Sequence, residues 1–187
     1  MVVPSTPRIP LERMPAVLCE RLRPRVERLS YLGEFFQVAA HQPEALAGFV
    51  DFTEALKVTL PPRLVETIAL TVAVQTGNDY ERVQHEHLAL KVGLDLDEVR
   101  ALAAGEFPAD RFSETERAAA ALARDVVAAR GGPCTDPYDA LEALAGPEAA
   151  VGCLMTAARY LAHATMANTW GLQPPVASPL EQEQLRV

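Results

Sequence analysis

Two stretches of the sequence hold the side chains best suited to moving a proton. In the first, LVETIALTVAVQT (residues 64–76), Glu66 is the one carboxylate in an apolar run. With side chains placed about 100° apart around a helix, Thr67, Thr71, Gln75 and Asn78 form one polar stripe. Glu66 falls off that stripe, over Ala69, Leu70 and Ala73. A carboxylate among apolar neighbours loses hydration, which raises its pKa. A glutamate tuned in this way can give or take a proton near neutral pH. The plainer alternative is an exposed glutamate, or one paired with Arg63.

The second stretch is NDYERVQHEHLALKV (residues 78–92). Here Glu81, His85, Leu88 and Val92 share one helical face, and the two apolar members point that face inward. A glutamate four residues before a histidine can accept its ring N–H and fix the tautomer, which leaves the imidazole ready as base or acid. The alternative is a core histidine held by a carboxylate. His85-Glu86-His87 looks like a metal motif, but residues two apart on a helix point nearly opposite ways, so one helical site cannot use both histidines. Glu81 and His85 alone are too few ligands to imply a metal, and no metal is expected. His163, one turn from Tyr160, and Tyr80, Arg159 and Asn168 either line the same cavity or pack in the core. No phosphate-binding glycine loop or nucleophile elbow is present in the sequence.

The elements that must position these groups read as helices almost throughout. Ala and Leu dominate, and Pro and Gly punctuate the chain at helix-length intervals. Residues 1–10, with Pro4, Pro7 and Pro10, read as an extended arm. Helices follow over about 11–29 (with a break or kink at Pro24), 30–40, 43–57, 61–76, 78–92, 96–104, up to 130, up to 145, and 148–169. Asp95 with Glu98, and Ser113 with Glu116, have the spacing of capping boxes. The tail from Pro174 is expected to be poorly ordered. The 187 residues are expected to make a single all-α domain.

Composition narrows the function. The net charge is −8, which disfavours nucleic-acid binding, because that needs a basic patch. No apolar run reaches the roughly 20 residues of a membrane span. The N-terminus lacks the apolar core of a secretory signal. Cys19, Cys134 and Cys153 lie far apart and form no C-x-x-C, as expected for a reducing, cytoplasmic setting without structural zinc.

Residues 60–99 resemble the carboxymuconolactone decarboxylase family, which shares its fold with alkylhydroperoxidase D. The resemblance rests on a Pro-Arg-x-x-Glu helix start at Arg63 and Glu66, an apolar run, His85, then Ala89 and Gly93-Leu94. Glu66 stands twelve residues before Asn78, as the family glutamate stands before the first cysteine of its C-x-x-C. Weaker agreement extends to Pro7–Pro10, His41 with Pro43, and Tyr160 through Gly171. The two cysteine positions are Asn78 and Glu81, so the thiol–disulfide cycle of the peroxidase branch has no residues here.

The resemblance implies an alkylhydroperoxidase D-like helical bundle that assembles as a homo-oligomer (trimer, hexamer or dimer), with its site between the helices at 61–76 and 78–92. The activity it suggests is that of a cofactor-free lyase or isomerase acting on a small substrate bearing a carbonyl or carboxylate. In that scheme His85 is the base, oriented by Glu81. Glu66 is the acid, or the partner that sets the charge of His85. Asn78 donates to the developing oxyanion, and Tyr80 and His163 bind substrate. Two other readings stand beside it: a scaffold that kept the fold without catalysis, and a metal-dependent enzyme.

Overall fold

The computed structural model describes residues 6–184. Pro4 of the expected arm, and residues 185–187, lie outside them. Residues 6–10 run without regular structure, as expected of the arm. A 3-10 turn, Leu11–Arg13, then leads to ten α-helices among the described residues, and these contain no strand. They are α1 (Ala16–Leu29), α2 (Glu34–Ala39), α3 (Pro43–Lys57), α4 (Pro62–Gln75), α5 (Asp79–Lys91), α6 (Leu96–Ala103), α7 (Glu114–Ala129), α8 (Thr135–Ala145), α9 (Pro147–Thr169) and α10 (Pro179–Gln184).

Helix α4 is the centre. Every residue from Leu64 to Ala73 is buried, so it behaves as a helix apolar all round and is enclosed on all sides. It packs on α5, α7 and α9. Ile68, Ala69 and Val72 meet Leu122, Ala123 and Ala157 on one side, and Leu70 meets Ala89, Val99 and Leu102 on another. The two threonines of the polar stripe foreseen on α4 are satisfied within the helix: the Thr67 hydroxyl donates to the Arg63 carbonyl at 3.0 Å and the Thr71 hydroxyl to the Thr67 carbonyl at 2.7 Å. A third cluster joins α1, α2 and α3 to Tyr80, Ala167 and Leu172.

Both capping boxes form, Asp95 with Glu98 and Ser113 with Glu116. Their glutamates have a second task. Arg63 reaches Glu98 at 2.5 Å and Glu116 at 2.6 Å, tying the start of α4 to the starts of α6 and α7. Arg63 is thereby occupied and is not the partner of Glu66.

Two expectations need correction. The break near the N-terminus falls at Met14-Pro15, because a residue before proline is driven to extended backbone, while Pro24 lies inside α1. The described part of the tail, residues 174–184, does not trail away from the body. Ser178, 1% exposed, donates to Glu86 at 2.6 Å, and its hydroxyl accepts from the Leu180 N–H at the start of α10. The buried acceptor on α5 supplies an anchor that tail composition does not reveal.

Replacing Arg63 by Ala leaves Glu98 and Glu116 without their cation. Charge-assisted hydrogen bonds of this kind contribute about 1.5–3 kcal/mol. Arg63→Ala should therefore lower the free energy of unfolding by about 2 kcal/mol in a urea titration, with helix content retained; an unchanged midpoint would show the tie to be idle.

Candidate active site between α4, α5 and α9

The turn Gly77-Asn78 sends α5 back along α4, which brings Glu66 and His85 together. His85 Nδ1 lies 2.6 Å from Glu66 Oε2, and both side chains are nearly buried. A contact this short between nitrogen and oxygen requires a proton between them. The His85 and Tyr160 rings stand nearly perpendicular, with centroids 4.9 Å apart. Its other nitrogen, Nε2, stands 3.9 Å from Glu81 Oε1. The i,i+4 spacing brought Glu81 near the ring, but the hydrogen-bonded partner is Glu66, from the neighbouring helix.

Glu81 belongs to a second group. Its Oε1 lies 2.8 Å from His163 Nδ1 and 3.6 Å from an Arg159 guanidinium nitrogen, both on α9. The His163 contact is close but off the line of a hydrogen bond, which leaves that buried nitrogen without a well-directed partner. Arg159 also donates to the Thr53 hydroxyl at 2.9 Å and lies over the rings of Phe49 and Tyr160. His163 stacks on Phe35 with centroids 3.8 Å apart.

The electrostatics follow from burial and these neighbours. Burial pushes the Glu81 carboxyl upward, but His163, Arg159 and His85 together outweigh it and hold the group below the usual carboxylate range. Burial holds His163 below the ordinary imidazole value, against the pull of Glu81. Burial also raises the Tyr80 phenol to about 12, so it keeps its proton. The Tyr80 hydroxyl accepts the Phe35 N–H at 3.2 Å. It fits there because position 33 is glycine: a Cβ at Gly33 would stand 2.9 Å from the phenol oxygen.

These groups open onto a cleft of about 390 Å³, within the usual size range for a small-molecule site. Glu66, Glu81, His85, Tyr80 and His163 all line it, together with Arg159 and Tyr160. Asn78 does not. It is 1% exposed, its carbonyl accepts from the Glu81 N–H at 3.2 Å, and its amide reaches toward Glu81 Oε2 at 3.5 Å. Asn78 is the N-cap of α5 rather than a donor to substrate; Asn is a preferred residue at that position for its own reasons. His87 does point away from the His85 ring's partners, bonding the Ala177 carbonyl at 2.9 Å, yet it reaches the rim of the same cleft. A larger groove of about 640 Å³ between α7, α8 and α9 has no carboxylate, histidine or cation in its lining. The candidate acid–base side chains therefore line the smaller cleft and not the larger groove. Among the described residues, no three His, Cys, Asp or Glu side chains converge as a metal site.

Residues 43–125, which include α3 to α6 and most of α7, match the carboxymuconolactone decarboxylase family. That match takes in residues 60–99, where the resemblance to the family lies. Solved structures agree on the fold of the whole chain. The debrominase Bmp8 has a TM-score of 0.80 at 17% identity, covering 98% of this chain and 97% of that one. A Bmp8 variant in complex with 2,3,4-tribromopyrrole has a TM-score of 0.79 at 18% identity, covering 97% and 96%. An alkylhydroperoxidase D core protein, an uncharacterized peroxidase-related protein from Ralstonia eutropha JMP134, has a TM-score of 0.78 at 21% identity, covering 90% and 92%. No curated protein matches the sequence. The family stretch supplies Glu66, Glu81 and His85, while Arg159, Tyr160 and His163 come from α9, outside it.

The depressed groups give the site an acid-sensitive stability. The unfolded chain takes up protons at His163 from about 6.5 and at Glu81 from about 4.5, whereas the folded chain does so only at lower pH. Stability is full above these values and falls as pH drops through them. His163→Gln should flatten the plot of unfolding free energy against pH between about 7 and 5, where the histidine step lies; a slope equal to wild type would show His163 to be uninvolved. Asn78→Ala should cost about 1 kcal/mol in thermal or urea unfolding through loss of the α5 cap, and Asn78→Ser, an uncharged cap that sets no second carboxylate against Glu81, should recover most of it.

Proposed function

We propose that the protein is a cofactor-independent lyase or isomerase that moves a proton next to a carbonyl and so drives decarboxylation, dehydration or ring closure of a small substrate. The observation that carries this reading is the Glu66–His85 contact of 2.6 Å opening onto the cleft. Glu66 holds Nδ1, which fixes the ring and leaves Nε2 as the nitrogen for substrate. His85 is then the base, and Glu66 is the partner that steadies the charge the ring acquires. Tyr80, which keeps its phenolic proton, is the donor placed to meet a developing oxyanion. Arg159 and His163 compensate Glu81, so the second carboxylate stands beside His85 Nε2 without needing that proton for itself.

A scaffold that kept the fold without catalysis is less well supported. It calls for Glu66 and His85 paired off within a filled core, and here both line a cleft. Thiol chemistry is also less well supported. Cys19, Cys134 and Cys153 are outside the lining of this cleft, and burial raises the Cys153 thiol to about 11, away from the reactive thiolate. We place the enzyme in the cytoplasm as a homo-oligomer with one such cleft per subunit.

The test is a mass-spectrometric screen of small oxo acids and lactones for loss of carbon dioxide or water, or for isomerisation. With a substrate in hand, Glu66→Gln and His85→Ala should each lower kcat by about 10²-fold or more, the usual scale for a positioned acid–base group, with unchanged circular dichroism. His87→Ala should stay within a few-fold of wild type. Replacing all three cysteines by Ser should preserve turnover; a large loss in that folded variant would contradict the cofactor-free scheme.

A further inference from the structure

The cleft has the opposite charge balance to the chain around it. The chain carries 17 Lys and Arg against 25 Asp and Glu. Yet Arg25, Arg28, Lys57, Lys91 and Arg159 line the cleft, while its carboxylates are Glu66 and Glu81. Both carboxylates already have partners on its floor, His85 for one and Arg159 with His163 for the other. On one wall Arg25 and Lys57 share a single acceptor, Glu54, at 2.7 and 2.8 Å. Arg28, at the end of α1, and Lys91, at the end of α5, have no carboxylate or hydrogen-bond partner among the described residues. Five cations around one concave cleft give it a locally positive field, whereas the acidic exterior repels anions elsewhere.

The walls between these cations and the floor are aromatic. Tyr31, Phe36, Tyr80 and Tyr160 all face the cleft. An apolar ring buries area against them, and an anionic group attached to it would reach the unpartnered cations. The small volume argues against a polyanion such as nucleic acid.

Resting on the acid–base reading above, we infer that the substrate is a ring-bearing small-molecule anion whose charged group is held by Arg28 and Lys91 while its reacting carbon faces His85. Arg28 lies outside the family-matched stretch and Lys91 inside it, so the anchor joins two separate parts of the chain. Neutral ring compounds of the same shape are poor ligands, because they leave both cations unpaired.

The experiment compares 1-naphthoate with its neutral isostere 1-naphthamide by isothermal titration calorimetry. The ¹⁵N shifts of the His85 and His163 rings report binding in this cleft and not in the apolar groove. Naphthoate should bind at least about ten-fold more tightly than naphthamide, and should move those shifts. Its advantage should shrink several-fold between about 20 and about 300 mM salt, as screening shortens to a few ångströms. In Arg28→Ala/Lys91→Ala, whose positions are exposed, the two ligands should bind within about three-fold of each other, with an unchanged melting curve. Equal binding of both ligands to wild type would overturn the inference. So would a preference that survives in the double variant, or no binding of naphthoate at millimolar concentration. The readout is equilibrium binding, so any of these results would leave the acid–base scheme standing, which only turnover tests.

Discussion

A carboxylate at the centre of the most deeply buried helix is the constraint around which this structure is arranged. Helix α4 is enclosed on every side, and such a helix would ordinarily carry only apolar side chains. Glu66 is tolerated there because His85 meets it from α5 at 2.6 Å. An unpaired buried carboxylate would cost several kcal/mol or would simply take up a proton. Bringing α5 to that position depends on the turn after α4 and on the Asn78 cap. It also depends on α9, whose Arg159 and His163 offset the second carboxylate, Glu81, and whose Tyr160 ring packs perpendicular to the imidazole.

The helix starts show how the same scaffold separates structural charge from functional charge. Arg63 and Glu66 are one turn apart and could have paired with each other. Arg63 instead turns outward to Glu98 and Glu116, whose side chains also cap α6 and α7. One arginine therefore fixes three helix starts, and Glu66 is left for the site. The result is a rigid, mostly apolar frame with one polar seam opening between α4, α5 and α9.

Much of this was legible in the sequence because it is local. Pro, Gly and the S/D-x-x-E spacings mark where helices begin and end, and those elements formed. Glu66 stood out as a carboxylate in an apolar run, and His85 as an imidazole on an inward face. What sequence could not supply were contacts between distant segments. The i,i+4 rule offered Glu81 as the partner of His85, but helix packing gave His85 to Glu66 and Glu81 to α9. Asn78 was read as a donor to an oxyanion, since its place as the cap of α5 is recognised only once the helix start is seen. Arg159 was noticed without a role, because its partner Thr53 is 106 residues away. The tail anchor at Ser178 depends on Glu86, which no local pattern connects to it.

The shared proton between Glu66 and His85 is the feature that most needs direct observation. Proton and ¹⁵N NMR of the histidine rings in the folded protein would provide it. The expected result is a far-downfield proton bound to His85 Nδ1, lost in Glu66→Ala and retained in Glu81→Ala, with His85 Nε2 the nitrogen whose shift responds to a ligand in the cleft. A downfield proton that disappears with Glu81 instead, or a His85 whose Nδ1 carries no such proton, would contradict the pairing on which both the fold of the site and its proposed chemistry depend.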